Sequence, residues 1–191
     1  MSMQLCMCGD TECPSCGAAQ GTLTKQQPIA HPHLMTDPET VLAFVLAGSS
    51  RFTLVSKTTG DRLTYWVRKP SRFTVKQPHF VKILCGSDNT ASYAFVGTIF
   101  NRETYRPGHK NAFKWEAPAQ KAFVWFWAQL KLGRLSDKME FWHSGRCGRC
   151  GRVLTVPSSI KAGIGPECAS MIEQRSLLQE RAMEGGMEQQ S

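Results

Sequence analysis

No stretch of this chain approaches the roughly 20 consecutive apolar residues that a membrane-crossing helix requires. Its most apolar window, residues 123–130, is interrupted by Gln129 and flanked by Lys121 and Lys131. The opening residues carry neither a basic start nor a long apolar run, so no secretory leader is expected and the reading is of a cytoplasmic protein. Familiar catalytic signatures are missing too. There is no Gly-x-x-x-x-Gly-Lys-Ser/Thr phosphate loop, no His-Glu-x-x-His and no Gly-x-Ser-x-Gly. Zinc deaminases pair a His-x-Glu with a downstream Pro-Cys-x-x-Cys. Here Pro14 falls inside the first Cys-x-x-Cys, His31 and His33 come after it, and the glutamate is absent. Acidic residues are scarce in the middle of the chain: between Arg51 and Lys114, twelve Lys and Arg face only Asp61, Asp88 and Glu103.

That imbalance accounts for a formal net charge of +8. A basic body suggests a polyanionic partner, either nucleic acid or an acidic protein surface. The plain alternative is a well-solvated face that serves solubility. The candidate phosphate contacts are Arg68, Lys69 and Arg72 after the second strand, and Arg102, Arg106 and Lys110 in the loop that follows the fourth. Arg146, Arg149 and Arg152 lie around a cysteine motif, where they would grip phosphates or neutralise thiolates. Trp66, Tyr93 and Tyr105 are interleaved with these charges and are candidates for stacking on unpaired bases.

Seven of the eight cysteines fall in two tight groups. Cys6, Cys8, Cys13 and Cys16 form one; Cys147, Cys150 and Cys168 form the other. Each contains Cys-x-x-Cys-Gly, a spacing that lets two thiolates face one ion while the glycine relieves the turn. In a reducing cytosol such clusters favour metal over disulfide. The cofactor expected is therefore zinc, one ion or two. At the C-terminal site Cys168 follows Gly165-Pro166, which reads as a helix start, so its thiolate would sit in a first helical turn. His143 is the candidate fourth ligand, the alternative being a solvent-facing turn histidine. At the N-terminal site Asp10 and Glu12 are poorer competitors than soft thiolates. Cys85, mid-strand among apolar residues, reads as a core cysteine.

The expected fold is α+β: a roughly four-stranded antiparallel sheet packed by helices, with small zinc-binding elements at both ends. The 41% hydrophobic content is enough for a real core. Residues 1–20 form the first cysteine element and 21–35 a linker. Residues 36–138 form the basic body, 139–183 the second metal element with its helix, and 184–191 a disordered tail. Within the body, Thr36 and Glu39 offer a capping box for a first helix that Gly48 ends. Two hairpins follow, 51–57 with 62–68 and 80–85 with 91–100, and then an irregular basic loop over 101–116. Pro118 opens a second helix whose Phe123, Phe126, Trp127 and Leu130 make one apolar stripe.

The segment from His143 to Ala169 resembles a small zinc-binding family of phage and bacterial proteins catalogued as a domain of unknown function (number 6011). Gly145-Arg-Cys147-Gly-Arg-Cys150-Gly-Arg-Val-Leu-Thr and Ser158-Ser-Ile-Lys-Ala-Gly-Ile-Gly-Pro166-Glu-Cys168-Ala carry the resemblance. It implies zinc and a phage context, and no activity. Three functions are open on this reading. The first is a non-enzymatic nucleic-acid-binding module. The second is a phage-encoded interaction factor that inhibits a host defence or replication complex. The third is a nucleic-acid hydrolase built on His79, His109 and Glu116, the weakest of the three.

Overall fold

In a computed structural model the described residues are 31–70, 78–108 and 117–184. They build a seven-stranded antiparallel sheet with two helices over one face. In chain order the elements are β1 (Leu34–Met35), α1 (Pro38–Val45), β2 (Ser49–Ser56), β3 (Arg62–Arg68), β4 (His79–Leu84), β5 (Tyr93–Phe100), β6 (Thr104–Pro107), α2 (Pro118–Lys131), β7 (Met139–His143), α3 (Pro157–Ala162) and α4 (Pro166–Glu184). Across the sheet the order is β1-β7-β2-β3-β4-β5-β6.

The class is the expected one, but the sheet is larger. The two hairpins appear as β2–β3 and β4–β5. Three more strands join them. β6 lies inside the segment read as an irregular loop, because four residues with a proline carry too little periodicity to announce a strand. β1 occupies the end of the supposed linker. β7 opens the segment assigned to the metal element, yet it sits between β1 and β2, so the 138/139 boundary runs along the edge of a sheet strand. The cysteine element at 1–20, with Cys6, Cys8, Cys13 and Cys16, and the tail from 185 lie outside the described residues.

Strand alternation sorts the two faces. Phe52, Leu54, Tyr65, Val67, Val81, Ile83, Ile99 and Phe141 point to the helical side and are buried. From α2, Phe123, Phe126, Trp127 and Leu130 close this core as their spacing predicts. Burying each such side chain contributes about 1.5–3 kcal/mol. Phe52 stacks on Phe141 and Phe126 stacks on the same ring, which ties β2, β7 and α2 together. Tyr65 donates its hydroxyl hydrogen to the Ala119 carbonyl at 2.7 Å, so its polar end is satisfied inside the core.

Three local readings change. The N-cap of α1 is Asp37, not Thr36: its carboxylate accepts from the Thr40 N–H at 2.8 Å, with Pro38 in the first turn. Cys85 is exposed. It has the inward parity of Val81 and Ile83, but β4 ends at Leu84 and the buried layer does not extend over it. Tyr105 turns inward and packs on Phe123 with ring centroids 4.7 Å apart, so it is no stacking platform. No described helix is long and apolar enough to cross a membrane.

Candidate metal centre and basic sheet face

Residues 144–168 fold as a tight loop, a short helix and the start of a longer one. Arg146 and Val153 pair across the loop. The Cys147 N–H donates to Arg152 O at 2.8 Å and the Gly151 N–H donates to Cys147 O at 2.9 Å, which turns the chain back on itself between Cys147 and Cys150. α3 then runs to Gly163, whose left-handed φ of 67° ends it. The Gly165 N–H points at Cys147 Sγ, 3.5 Å away, and Pro166 starts α4 with Cys168 in its first turn. The spacing Gly-Ile-Gly-Pro-x-Cys thus has a part for each fixed residue: a helix stop, a thiolate donor, a helix start and a ligand.

The Sγ atoms of Cys147, Cys150 and Cys168 lie within 4.8 Å of one another. Around a tetrahedral zinc with bonds of about 2.3 Å, sulfurs stand about 3.8 Å apart. A small contraction therefore closes the site, and the soft donor set fits zinc. The protons on these thiols are unequally held. Burial pushes Cys147 up, but N–H groups of Gly165, Cys150 and Arg149, with the Cys150 thiol, more than offset it and leave its pKa below the ordinary thiol value. Burial and then the neighbouring Cys150 hold Cys168 up at about 11. A cation in place of those protons removes the conflict.

His143 is not in this group. Its ring is buried, 3% exposed, on the inward side of β7. Nδ1 accepts the Gly145 N–H at 3.1 Å, and Nε2 lies 3.4 Å from His33 Nδ1. Burial, and then His33, push its pKa down, which keeps the ring neutral. Among the described residues no fourth His, Cys, Asp or Glu joins the three cysteines.

Residues 138–172 match the model of a family of unknown function, DUF6011. The match covers the knuckle and all three cysteines and a minor share of the chain. No curated protein and no solved structure matches the sequence.

The DUF6011 segment is pressed against the body. The backbones of Gly148 and Gly163 both lie on the Phe44 ring of α1, where any Cβ would collide. The Ser49 N–H donates to Gly148 O at 2.6 Å, linking the knuckle to the start of β2. Cys147, Leu154 and Cys168, flanked by Ile160 and Ile164, form a second, very small core. Three buried side chains are too few to hold such a segment alone, so a metal ion held by the cysteines would have structural work to do here.

The sheet face away from the helices is of a different kind. Register places Arg51, Trp66, Lys82 and Phe95 side by side across β2, β3, β4 and β5, with Arg68 beside Phe80 and Thr98 beside Arg106. Trp66 is surrounded: Arg51 lies 4.4 Å from its ring, Arg68 5.3 Å and Lys82 5.6 Å, and Tyr93 meets it edge-on. Two aromatics of this face that the sequence reading did not single out are the most open, Phe80 at 37% and Phe100 at 40% exposed. Arg106 sits over Phe100. Glu140 lies on the same face of β7 and is engaged by Trp142 and Lys57.

The other candidate cations are dispersed. Lys69, Arg102 and Arg149 meet in a cleft beside the knuckle. Arg146 donates to Gly151 O and Arg152 pairs with Glu167 at 3.8 Å, both exposed, so these two brace the loop. Arg72 and Lys110 fall outside the described residues, as do His109 and Glu116. His79 is 2% exposed and its Nε2 lies 3.3 Å from Leu46 O. Burial drives its pKa down to about 4, which suits a core residue and not a solvent-facing general base.

Proposed function

We propose that this chain is a non-enzymatic, zinc-braced protein that binds single-stranded nucleic acid on the open face of its sheet. The observation that carries the reading is the outward cluster of Trp66, Tyr93, Phe80 and Phe100 interleaved with Arg51, Arg68, Lys82 and Arg106. Unstacked bases need aromatic faces and the backbone needs cations; this face offers both over adjacent strands. A duplex keeps its base faces stacked and would leave these aromatic rings without partners. Zinc at Cys147, Cys150 and Cys168 would hold the knuckle against β2 and contribute no chemistry of its own to binding. Thiolates kept reduced for metal fit a cytoplasmic setting.

The test is fluorescence anisotropy of labelled single- and double-stranded oligonucleotides with zinc-loaded protein at low and near-physiological salt. Single strands should bind more tightly, and the affinity should fall steeply as salt rises. Phe80→Ala and Phe100→Ala, at exposed positions, should each weaken binding by roughly tenfold, the loss expected for one stacked base. A flat salt response, or full affinity in the double variant, overturns the reading.

A further inference from the structure

A cleft of about 350 Å³ opens where the end of β3, the C-terminus of α1 and the metal segment meet. Arg68, Lys69, Arg102, Arg149 and Arg175 all line it, with the exposed Cys150 at its wall. No carboxylate of the described residues is among its lining. Two backbone carbonyls at the α1 terminus are already used, Leu46 O by the His79 ring and Gly48 O by the Lys69 N–H at 2.8 Å. Burial, then Arg175 and Arg102, push the Lys69 pKa down. Five cationic side chains line one cleft, and two of them, Arg175 and Arg102, disfavour the charge on Lys69, an arrangement that a multiply charged anion relieves.

The backbone under Arg102 adds an independent sign. The β5–β6 connection has three residues, Phe100 pairing with Thr104, and it opens with a tight turn in which the Glu103 N–H donates to Phe100 O at 2.9 Å. Both central residues, Asn101 and Arg102, have positive φ, 52° and 61°. Such turns favour Asn followed by Gly. Asn101 is the expected residue and Arg102 is not, so a long cation occupies a position where glycine would fold better. Strain of that kind tends to be kept where a side chain has a task. Here the strained residue is one of the five that line the cleft.

We propose that the cleft holds the terminal phosphate of the strand bound on the sheet face. An internal phosphodiester carries one charge and needs no such gathering of cations, whereas a terminal phosphomonoester carries nearly two and offers three acceptor oxygens. Arg68 belongs to both places: it lies near the Trp66 ring on the open face and lines the cleft. A strand crossing the face is thereby led towards the cleft at its end. This inference rests on the nucleic-acid reading above and extends it from a surface to an end-recognising site.

The experiment compares one oligonucleotide sequence bearing a 5′-phosphate, a 3′-phosphate or neither, by anisotropy with the zinc-loaded full chain. A nucleoside 5′-monophosphate is titrated calorimetrically in parallel, alongside a nucleoside 3′-monophosphate. The key variant is Arg102→Gly, which suits the turn and should melt no lower than the parent. One phosphorylated end should bind about tenfold tighter than the unphosphorylated strand. Arg102→Gly should collapse that ratio, and the matching mononucleotide should give a saturable heat that the variant loses. Equal affinity for all three strands overturns the cleft and leaves the face standing. No strand binding, with a mononucleotide heat that Arg102→Gly abolishes, supports the cleft and overturns the face. Neither strand binding nor heat overturns both.

Discussion

The described residues hold two cores built on different principles. The larger one joins seven strands to α1 and α2 through a continuous set of aromatic and branched side chains. The smaller one consists of Cys147, Leu154 and Cys168 with two isoleucines at its edge. The first is sustained by area removed from water, which grows with the number of residues that share it. The second has almost no such area and brings together three sulfurs whose affinity for an ion would supply what the area does not. The contrast teaches where each is vulnerable. One fails gradually as side chains are cut back; the other fails when a single ligand is lost.

Removing the metal should break the comparison most sharply. Treatment with a strong chelator, or Cys168→Ser, should release the protection of amides across residues 145–172 in hydrogen exchange while β2–β5 remain protected. The free energy at stake is on the order of 10 kcal/mol for a structural zinc site. Loss of protection across the whole sheet at the same rate would mean that the two cores are one. In the larger core, Phe126→Ala should cost about 3–5 kcal/mol in denaturant unfolding. Zinc stoichiometry of the folded fraction should be unchanged.

Acid should act on the larger core through His79. Its folded pKa, about 4, is below that of an unfolded histidine, so its stabilising effect is complete above about pH 6.5. That effect is lost as pH falls towards 4, because the unfolded chain takes up the proton first. The expected loss is about 3 kcal/mol at most, and His79→Gln should remove that part of the slope, leaving the part due to the buried His143 and the acid release of zinc. Gly163→Ala probes the junction between the cores. It combines a left-handed φ with a collision against Phe44, and should cost about 2 kcal/mol. The smallest effect is expected at Glu167→Gln. The ion pair with Arg152 is four-fifths exposed, and its removal should shift stability by no more than about 0.5 kcal/mol.

Much of this contrast was legible in the sequence. The cysteine spacing marked the small core, and the stripe Phe123, Phe126, Trp127 and Leu130 marked the face of α2 that the large one uses. The hairpin β2–β3 announced itself through alternation and a Thr-Thr-Gly-Asp turn. What escaped was non-local. β1 and β6 are too short to carry a period, and β7 reads as part of the metal segment because nothing in five residues says which strands they pair with. His143 shows the same limit. Its spacing from Cys147 suits a ligand, but strand parity on β7 turns it to the inward side, next to His33 and Phe44. The outward aromatic face could be assigned only once register was known, since Tyr105 and Phe100 exchange inner and outer places with a shift of one residue.

The placement of β7 has a consequence for how the molecule is made. Its partner β2 lies about 90 residues earlier, Phe52 facing His143 across the ladder. During synthesis the early hairpins can form as they emerge, but β1 has no neighbour and β2 has one bare edge until residue 143 clears the ribosome. Cys147 follows only four residues later. Cys168 follows 25 residues after His143, so the sheet closes before the cysteine site is complete, and the synthesis of the chain through β7, not the ion, sets how long that unpaired edge stays open to other chains.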